Sequence, residues 1–364
     1  MSIVPENIES LVPYEAGKPI EELERELGIG GAIKLASNEN PLGPSALGIE
    51  AARTVLAGAN RYPDAGAYRL RQALAEKLEV PIANLVIGSG SSELIDLAVR
   101  VFCKAGEDEV LTHRYAFVSY KIVSQAHGVV FREVDLRPDL SVDVEALAAA
   151  VGPRTRLIFL PNPNNPTGAH IGRASLERFV GGLPPHVLLV VDEAYYEYAH
   201  GRPDYASVLG LRALHSHTLV LRTFSKIYGL AALRVGYGIA DPEVVGYLNR
   251  VRLVFNVTAV GQEAARAALA DTAHVARSLR VNAEGIGQLQ AGLAKLPIRT
   301  FPTAANFILI DLGRDAAPVY DRLLRAGVIV RPLRAQGLPN HVRVSIGTRE
   351  ENERFLAALA DVLA

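Results

Sequence analysis

The sequence predicts an α/β fold in two parts: a large domain built on a mainly parallel sheet and a smaller α+β domain. Three observations carry this. The chain has 364 residues, too many for one small core. Short apolar runs alternate with helical patterns from about residue 84 to 240, and most lack polar alternation, as strands covered on both faces do. After about residue 257 the pattern changes to a long Ala-rich helical stretch followed by mixed strands and helices. We expect an N-terminal arm over 1–30 packing with the small domain, a large domain over 31–257 and a small domain over 258–364.

The arm carries Pro5, Pro13, Gly17 and Pro19 and leads into a short helix at "IEELERELG". "SNENPLGPS" is loop chemistry, and Ser45 is placed to cap the helix "ALGIEAARTVLAG". "YRLRQALAEKLEV" reads as a second amphipathic helix. "NLVIGSG" is the first strand of the alternation, followed by "SSELIDLAVRVFCKAG", a helix that Ser91 or Ser92 would cap and Gly106 close. "DEVLTH", "GVVFREV", "TRLIFLPNP", "HVLLVVDEAY", "HTLVLRTFS" and "RVGYGIA" are further strands, with "VDVEALAAAVG" and "ASLERFVGGL" as helices between them. The C-terminal part holds an Ala-rich helical region over 258–295, "NFILIDL", a helix near "APVYDRLLRAG", "VIVRP", "HVRVSIG" and a final helix from Glu350.

Composition narrows the function. Lys plus Arg number 38 against 39 Asp plus Glu, which gives no electrostatic case for nucleic acid or an anionic membrane. Small molecules or further copies of the chain are the expected partners. Cys103 is the only cysteine; an intrachain disulfide is excluded, in agreement with a reducing cytosol. It follows an apolar helical pattern and reads as a packing residue. The N-terminus has neither a basic n-region nor an apolar h-region. Trp is absent, so any ring stacked on a ligand must be Tyr, Phe or His.

In doubly wound sheets ligands bind beyond the carboxyl ends of the strands, so the polar residues closing the apolar runs are the ones to collect. "GSGSSE" closes the first: Gly88 and Gly90 permit close backbone approach, the next helix offers its amides to an anion, and Ser91 and Ser92 add hydroxyls. Taken alone, it reads rather as a Gly-rich turn with a serine cap. "PNPNNPTG" sets Asn165 before Pro166, in a stiff turn from which its amide can reach a ligand. Asp192 follows the apolar "VLLVV" and needs a cationic or hydrogen-bonding partner, and Tyr195 lies three residues on. In "RTFSKIYGLAALRVG", Lys226 follows a strand among Thr223, Ser225 and Arg234. Lysine amines form Schiff bases with cofactor aldehydes, a carboxylate pairs with a pyridinium nitrogen, and hydroxyls, a helix N-terminus and an arginine hold a phosphate. Together these parts describe pyridoxal 5′-phosphate (PLP).

The sequence resembles the fold-type I PLP-dependent aminotransferases over nearly its whole length. The motifs are "LASNENPLGPS", "RYPD", "GSGSSELID", "YAFVSY", "PNPNNPTG", "DEAYYEY", "RTFSKIYGLAALRVGY", "FNV", "NFILI" and "VRVSIGTREEN". "RYPD" and "GTREEN" point to the histidinol-phosphate branch. The resemblance implies that Lys226 holds the cofactor and Asp192 its pyridine nitrogen, while Tyr195 and Asn165 bond its phenolic oxygen. It places Tyr115 on the pyridine ring and Ser91, Ser92, Thr223, Ser225 and Arg234 around the phosphate. Tyr62 would reach the phosphate in the neighbouring subunit of a homodimer. Arg343 would take the substrate's anionic group, with Arg331 and Tyr14 around the substrate phosphate. Ser89, Ile227, Ala232 and the stretch "RLVFNVT" depart from the branch's usual pattern without removing a catalytic group.

What is implied is a cytoplasmic aminotransferase of histidine biosynthesis, taking L-histidinol phosphate and 2-oxoglutarate to imidazole acetol phosphate and L-glutamate. An aromatic amino-acid aminotransferase and a PLP decarboxylase of a phosphorylated amino acid share the scaffold. A PLP-sensing regulator would need a DNA-binding domain that the motif layout does not accommodate.

Overall fold

The computed structural model describes residues 2–14 and 17–364. Seven strands form the main sheet: β1 (Leu85–Ser89), β2 (Glu109–His113), β3 (Val130–Val134), β4 (Thr155–Pro161), β5 (Leu188–Asp192), β6 (Thr218–Thr223) and β7 (Val235–Ile239). Their order is β1–β7–β6–β5–β4–β2–β3. All neighbours are parallel except those of β7, which runs antiparallel to β1 and β6. The unbroken apolar runs are explained by a core on each face. Leu157, Phe159, Leu188, Val190, Leu219 and Leu221 point into one. Ile158, Leu160, Leu189, Val191 and Val220 point into the other. Successive residues of one strand thus serve opposite layers.

Helix α1 (Gly90–Phe102) starts one residue before the expected serine cap. Ser91 and Ser92 therefore sit in its first turn, and their hydroxyls face a cavity. Two glycines make this approach possible. Gly90 has φ +70°, and a Cβ there would lie 2.5 Å from Arg234 Nη2; one on Gly236 of β7 would lie 2.3 Å from the Ser91 amide nitrogen. A side chain at Gly236 would push the helix end off the sheet, and one at Gly90 would displace the Arg234 guanidinium. Cys103 follows the helix and is partly buried, with its thiol pushed up to about 12 by burial, as a packing residue should be.

The smaller lobe is an antiparallel sheet of β8 (Phe307–Asp311), β9 (Arg331–Leu333) and β10 (Leu338–Ser345), ordered β9–β10–β8, with Arg299–Thr300 on its edge. The Ala-rich region is two helices, α2 (Ala259–Ala270) and α3 (Thr272–Leu293), broken at Asp271, which caps the second through His274 N. The expected border at 258 falls just before α2. Ala264, Ala265 and Ala268 of α2 are buried in the same core as Leu85 and Leu189, whereas Leu289 and Leu293 of α3 pack with the small sheet. Val275 and Leu279, early in α3, still pack against the large core, so α3 runs from one lobe to the other. The arm over 1–30 is likewise divided. Asn7 bonds the backbone of Gln125 and Ala126 in the large lobe, while Leu23 packs with Ile329 of the small one. Ile33–Lys34 pairs in parallel with Val328–Ile329, so residues that follow the arm also join the small lobe.

The last helix, α4 (Arg349–Leu363), opens with a capping box: Thr348 accepts from Glu351 N, and the Glu351 carboxylate accepts from Thr348 N. "GTREEN" is thus accounted for locally as a helix start. No helix among the described residues is long and apolar enough to cross a membrane.

Candidate active site

The carboxyl ends of β4, β5 and β6 and the first turn of α1 converge on a cavity of about 230 Å³. At one end Ser91, Ser92, Thr223, Ser225 and Arg234 line it. The Thr223 hydroxyl accepts from Ser225 N at 3.1 Å, and Arg234 Nη1 donates to Ser225 Oγ at 3.4 Å. Helix amides, three serines, a threonine and a guanidinium around one small space make an anion site suited to a phosphate.

Asp192 ends β5 and is buried. Its Oδ2 accepts from Tyr120 Oη at 2.8 Å and its Oδ1 from Ala194 N at 3.1 Å. Burial raises its pKa, against those two hydrogen bonds. A ring cation in the cavity would supply the positive partner that such a carboxylate lacks here. Lys226 Nζ donates to the Ser37 carbonyl at 3.2 Å. Burial first, then the Arg343 and Arg234 charges, lowers its amine to about 8. A larger share of it is therefore neutral and nucleophilic near neutral pH.

Tyr195 and Asn165 stand on the same wall. Tyr195 Oη accepts from Asn38 Nδ2 at 2.8 Å, and burial pushes its phenol up to about 12. Asn165 Oδ1 accepts from Arg343 Nη1 at 2.5 Å, which turns its NH₂ group away from the arginine. Arg343 also donates through Nη2 to the Ala36 carbonyl at 2.5 Å. Its guanidinium is buried, its Nε makes no hydrogen bond, and no carboxylate lies within 4.0 Å among the described residues. A buried cation with donors to spare is a site for an anion.

Arg331 of β9 lies directly opposite Arg343 of β10 in the antiparallel register. Like charges so placed repel, and the Arg331 charge helps lower the Arg343 pKa after burial. The Tyr14 ring sits under the Arg331 guanidinium at 5.3 Å and is itself 53% exposed.

Tyr14, Arg331 and Arg343 lie outside the cavity lining, and so do two of the residues expected on the cofactor. Tyr115 is not in the cavity wall: its ring packs with Phe301, Leu309, Leu333 and Leu338 of the small lobe. Its φ of +57° turns the chain there, and the aromatic brought to the cavity is Phe117. Phe117 stands edge-on to Tyr120 at 5.7 Å. Tyr62 also lies outside its own cavity. It is 82% exposed and stacked at 4.6 Å on Phe255, next to the exposed Leu253 and Val254. Ser37 and Glu39 line the cavity as well. The run of polar residues in "SNEN" was the available signal for them. Of the departures near the site, Ile227 is fully buried in the large core.

The profile of the family described as "Aminotransferase class I and II" matches residues 31–359. The chain is a class I and II aminotransferase. Curated relatives of this aminotransferase include histidinol-phosphate aminotransferase of Anaeromyxobacter sp. (strain Fw109-5), 48% identical over 364 residues and 100% of both chains. Histidinol-phosphate aminotransferase 2 of Pseudomonas aeruginosa is 47% identical, over 100% of this chain and 98% of its own. Among solved structures, histidinol-phosphate aminotransferase from Sinorhizobium meliloti in complex with pyridoxal-5′-phosphate superposes with a TM-score of 0.88 at 30% identity, covering 100% of this chain and 98% of that one. Aspartate aminotransferase from Thermus thermophilus with maleate gives 0.86 at 26% identity over 100% of both chains. The backbone is therefore shared by aminotransferases named for different substrates, and the side chains of the site must distinguish them.

Proposed function

We propose that this aminotransferase is a cytoplasmic, PLP-dependent enzyme of histidine biosynthesis. It moves the amino group of L-histidinol phosphate to 2-oxoglutarate, giving imidazole acetol phosphate and L-glutamate. The observation that carries the substrate is the cross-strand pair Arg331 and Arg343. Two guanidinium groups side by side suit a phosphate dianion, to which each can donate paired hydrogen bonds. The curated relatives at 47–48% identity carry the same name.

When bound, PLP withdraws electrons from the substrate carbon through its ring. Ser91, Ser92, Thr223, Ser225 and Arg234 hold its phosphate and Lys226 its aldehyde carbon. Asp192 keeps a proton on the ring nitrogen, and Phe117 takes the ring face that Tyr115 was expected to cover. Tyr195 and Asn165 donate to the ring oxygen. Lys226 Nζ would be the general base for the substrate α-proton, and its lowered basicity suits a proton transfer in both directions. Arg343 receives the carboxylate of 2-oxoglutarate, and Arg331 with Tyr14 the substrate phosphate.

Arg331→Ala should lower kcat/KM for histidinol phosphate on the order of 10²-fold, the size of a lost pair of charge-assisted hydrogen bonds, and should spare phenylalanine. Arg343→Ala should damage histidinol phosphate and glutamate alike. A wild type that prefers phenylalanine, or an Arg331→Ala enzyme equally impaired with all three donors, would transfer the assignment to an aromatic aminotransferase. Release of CO₂ in place of an oxo product would point to a decarboxylase.

A homodimer with shared sites is part of the same reading. Tyr62, Leu253, Val254 and Phe255 form an exposed aromatic and aliphatic patch of the kind that marks an interface. Across it Tyr62 reaches the partner's phosphate site. Tyr62→Phe should weaken PLP retention although the residue lines no part of its own chain's cavity. A fully active monomer in sedimentation would rule this out.

A further inference from the structure

The "SNEN" loop holds a buried asparagine whose hydrogen bonds leave little freedom. Asn38 is 1% exposed, has φ +55° and sits between the lobes. Its backbone N–H donates to Ser345 Oγ at 2.8 Å. The Ser345 hydroxyl donates to Asn38 Oδ1 at 3.0 Å. Asn38 Nδ2 donates to Tyr195 Oη at 2.8 Å, and the Asn38 carbonyl accepts from Asn306 Nδ2 at 3.0 Å.

Each of these bonds runs in a defined direction. A backbone N–H can only donate, so Ser345 Oγ accepts it and has a single proton left to give. That proton goes to the Asn38 side-chain oxygen. The amide oxygen therefore faces Ser345 and the NH₂ group faces Tyr195. Tyr195 accepts, and its own proton has to point away from Asn38. The cavity lies on that side, since Tyr195 lines it with Asn165 and Lys226.

We propose that Asn38 is a positioning residue that sets the Tyr195 hydroxyl as a donor toward the anionic ring oxygen of the cofactor. Through Ser345, two residues beyond Arg343 on β10, it also ties that donor to the strand carrying the substrate-binding arginine. This rests on the PLP reading above. Asn165 is oriented in parallel: Arg343 takes its oxygen and leaves its NH₂ to donate.

The test is a visible-absorption pH titration of the PLP-loaded enzyme, which reads the pKa of the cofactor–Lys226 linkage. A donor to the ring oxygen helps most when the linkage nitrogen has lost the proton it shares with that oxygen. The donor therefore lowers the pKa, and losing it raises it. Asn38→Asp replaces the NH₂ with an acceptor, so Tyr195 turns its proton inward. The linkage pKa should rise by about one to two units, what a hydrogen bond to a charged oxygen amounts to. Asn38→Gly tolerates the positive φ and should give a smaller rise.

The new carboxylate would itself raise the pKa, so both variants are repeated with Tyr195→Phe. If Asn38 acts through the Tyr195 proton, each shift should fall to less than half in that background. Equal shifts with and without the Tyr195 hydroxyl, or no shift in either, would overturn the proposal. Should Asn38→Asp fail to fold, the Asn38→Gly cycle decides by the same criterion. A wild type that takes up no PLP and shows no visible band would sink the cofactor reading, and this inference with it.

Discussion

Lys226→Ala should fold, keep PLP only non-covalently and lose turnover by about 10⁴-fold or more, the upper end of what a positioned proton-transfer group supplies, with the covalent anchor gone as well. Among the described residues no other lysine lines the cavity, and burial lowers the Lys226 amine to about 8. The sign matters for how the cofactor enters. At pH 7 roughly a tenth of such an amine is neutral, against well under a thousandth for an ordinary lysine. The rate of PLP capture by the cofactor-free protein should therefore climb as pH rises toward 8 and level off above it. Borohydride reduction of the loaded protein followed by peptide mapping should put the label on the peptide containing Lys226. A label on another lysine would move the site.

Asp192→Asn should retain PLP and still lose on the order of 10²–10³ in rate, as when a preorganised charge-stabilising group is removed. The phosphate cradle, on other residues, is untouched. What changes is the group facing the ring nitrogen, since a neutral amide cannot hold a proton there. Tyr120 Oη, 2.8 Å from Asp192 Oδ2, keeps a partner in the amide oxygen, so the fold should survive. Thermal melting and cofactor stoichiometry would verify that. Near-normal turnover by a fully loaded Asp192→Asn enzyme would remove the residue from the chemistry.

Most of the large sheet was legible because its strands are covered on both faces. "LIFL", "LLVV" and "LVL" could hardly be anything but buried strands between helical patterns. The direction of β7 was not legible, because an apolar run carries no information about which way it points. The gathering of Ser91, Ser92, Thr223, Ser225 and Arg234 on one cavity was readable only from several motifs taken together, since the Gly and Ser spacing alone fits an ordinary capped turn. Phe117 was not, since the choice between it and Tyr115 depends on one positive φ at Tyr115. The split of the Ala-rich region into α2 and α3 was hidden for a similar reason: the two share one composition, and a single capping residue, Asp271, separates them. Asn38 could not be assigned from sequence, because its partners Tyr195 and Ser345 stand 157 and 307 positions away.

The parallel pairing of Ile33–Lys34 with Val328–Ile329 has a consequence for how the protein is made. All seven strands of the main sheet have left the ribosome once residue 239 is out. Lys226 and the phosphate cradle can then already be in place. The wall formed by Ser37 and Glu39 cannot be, because the chain just before it is held by strands that follow almost three hundred residues later. From residue 239 to residue 329 there are 90 residues still to be made, about 5–18 s at ordinary synthesis rates. Through that interval the nascent chain holds a cofactor cradle with one side open to water. A chain stalled before residue 328 would lack the strand that Ile33 and Lys34 need, and Arg343 would be missing too. It could gather PLP without being able to use it. Completion of the polypeptide, and not formation of the sheet, is the step that makes the enzyme.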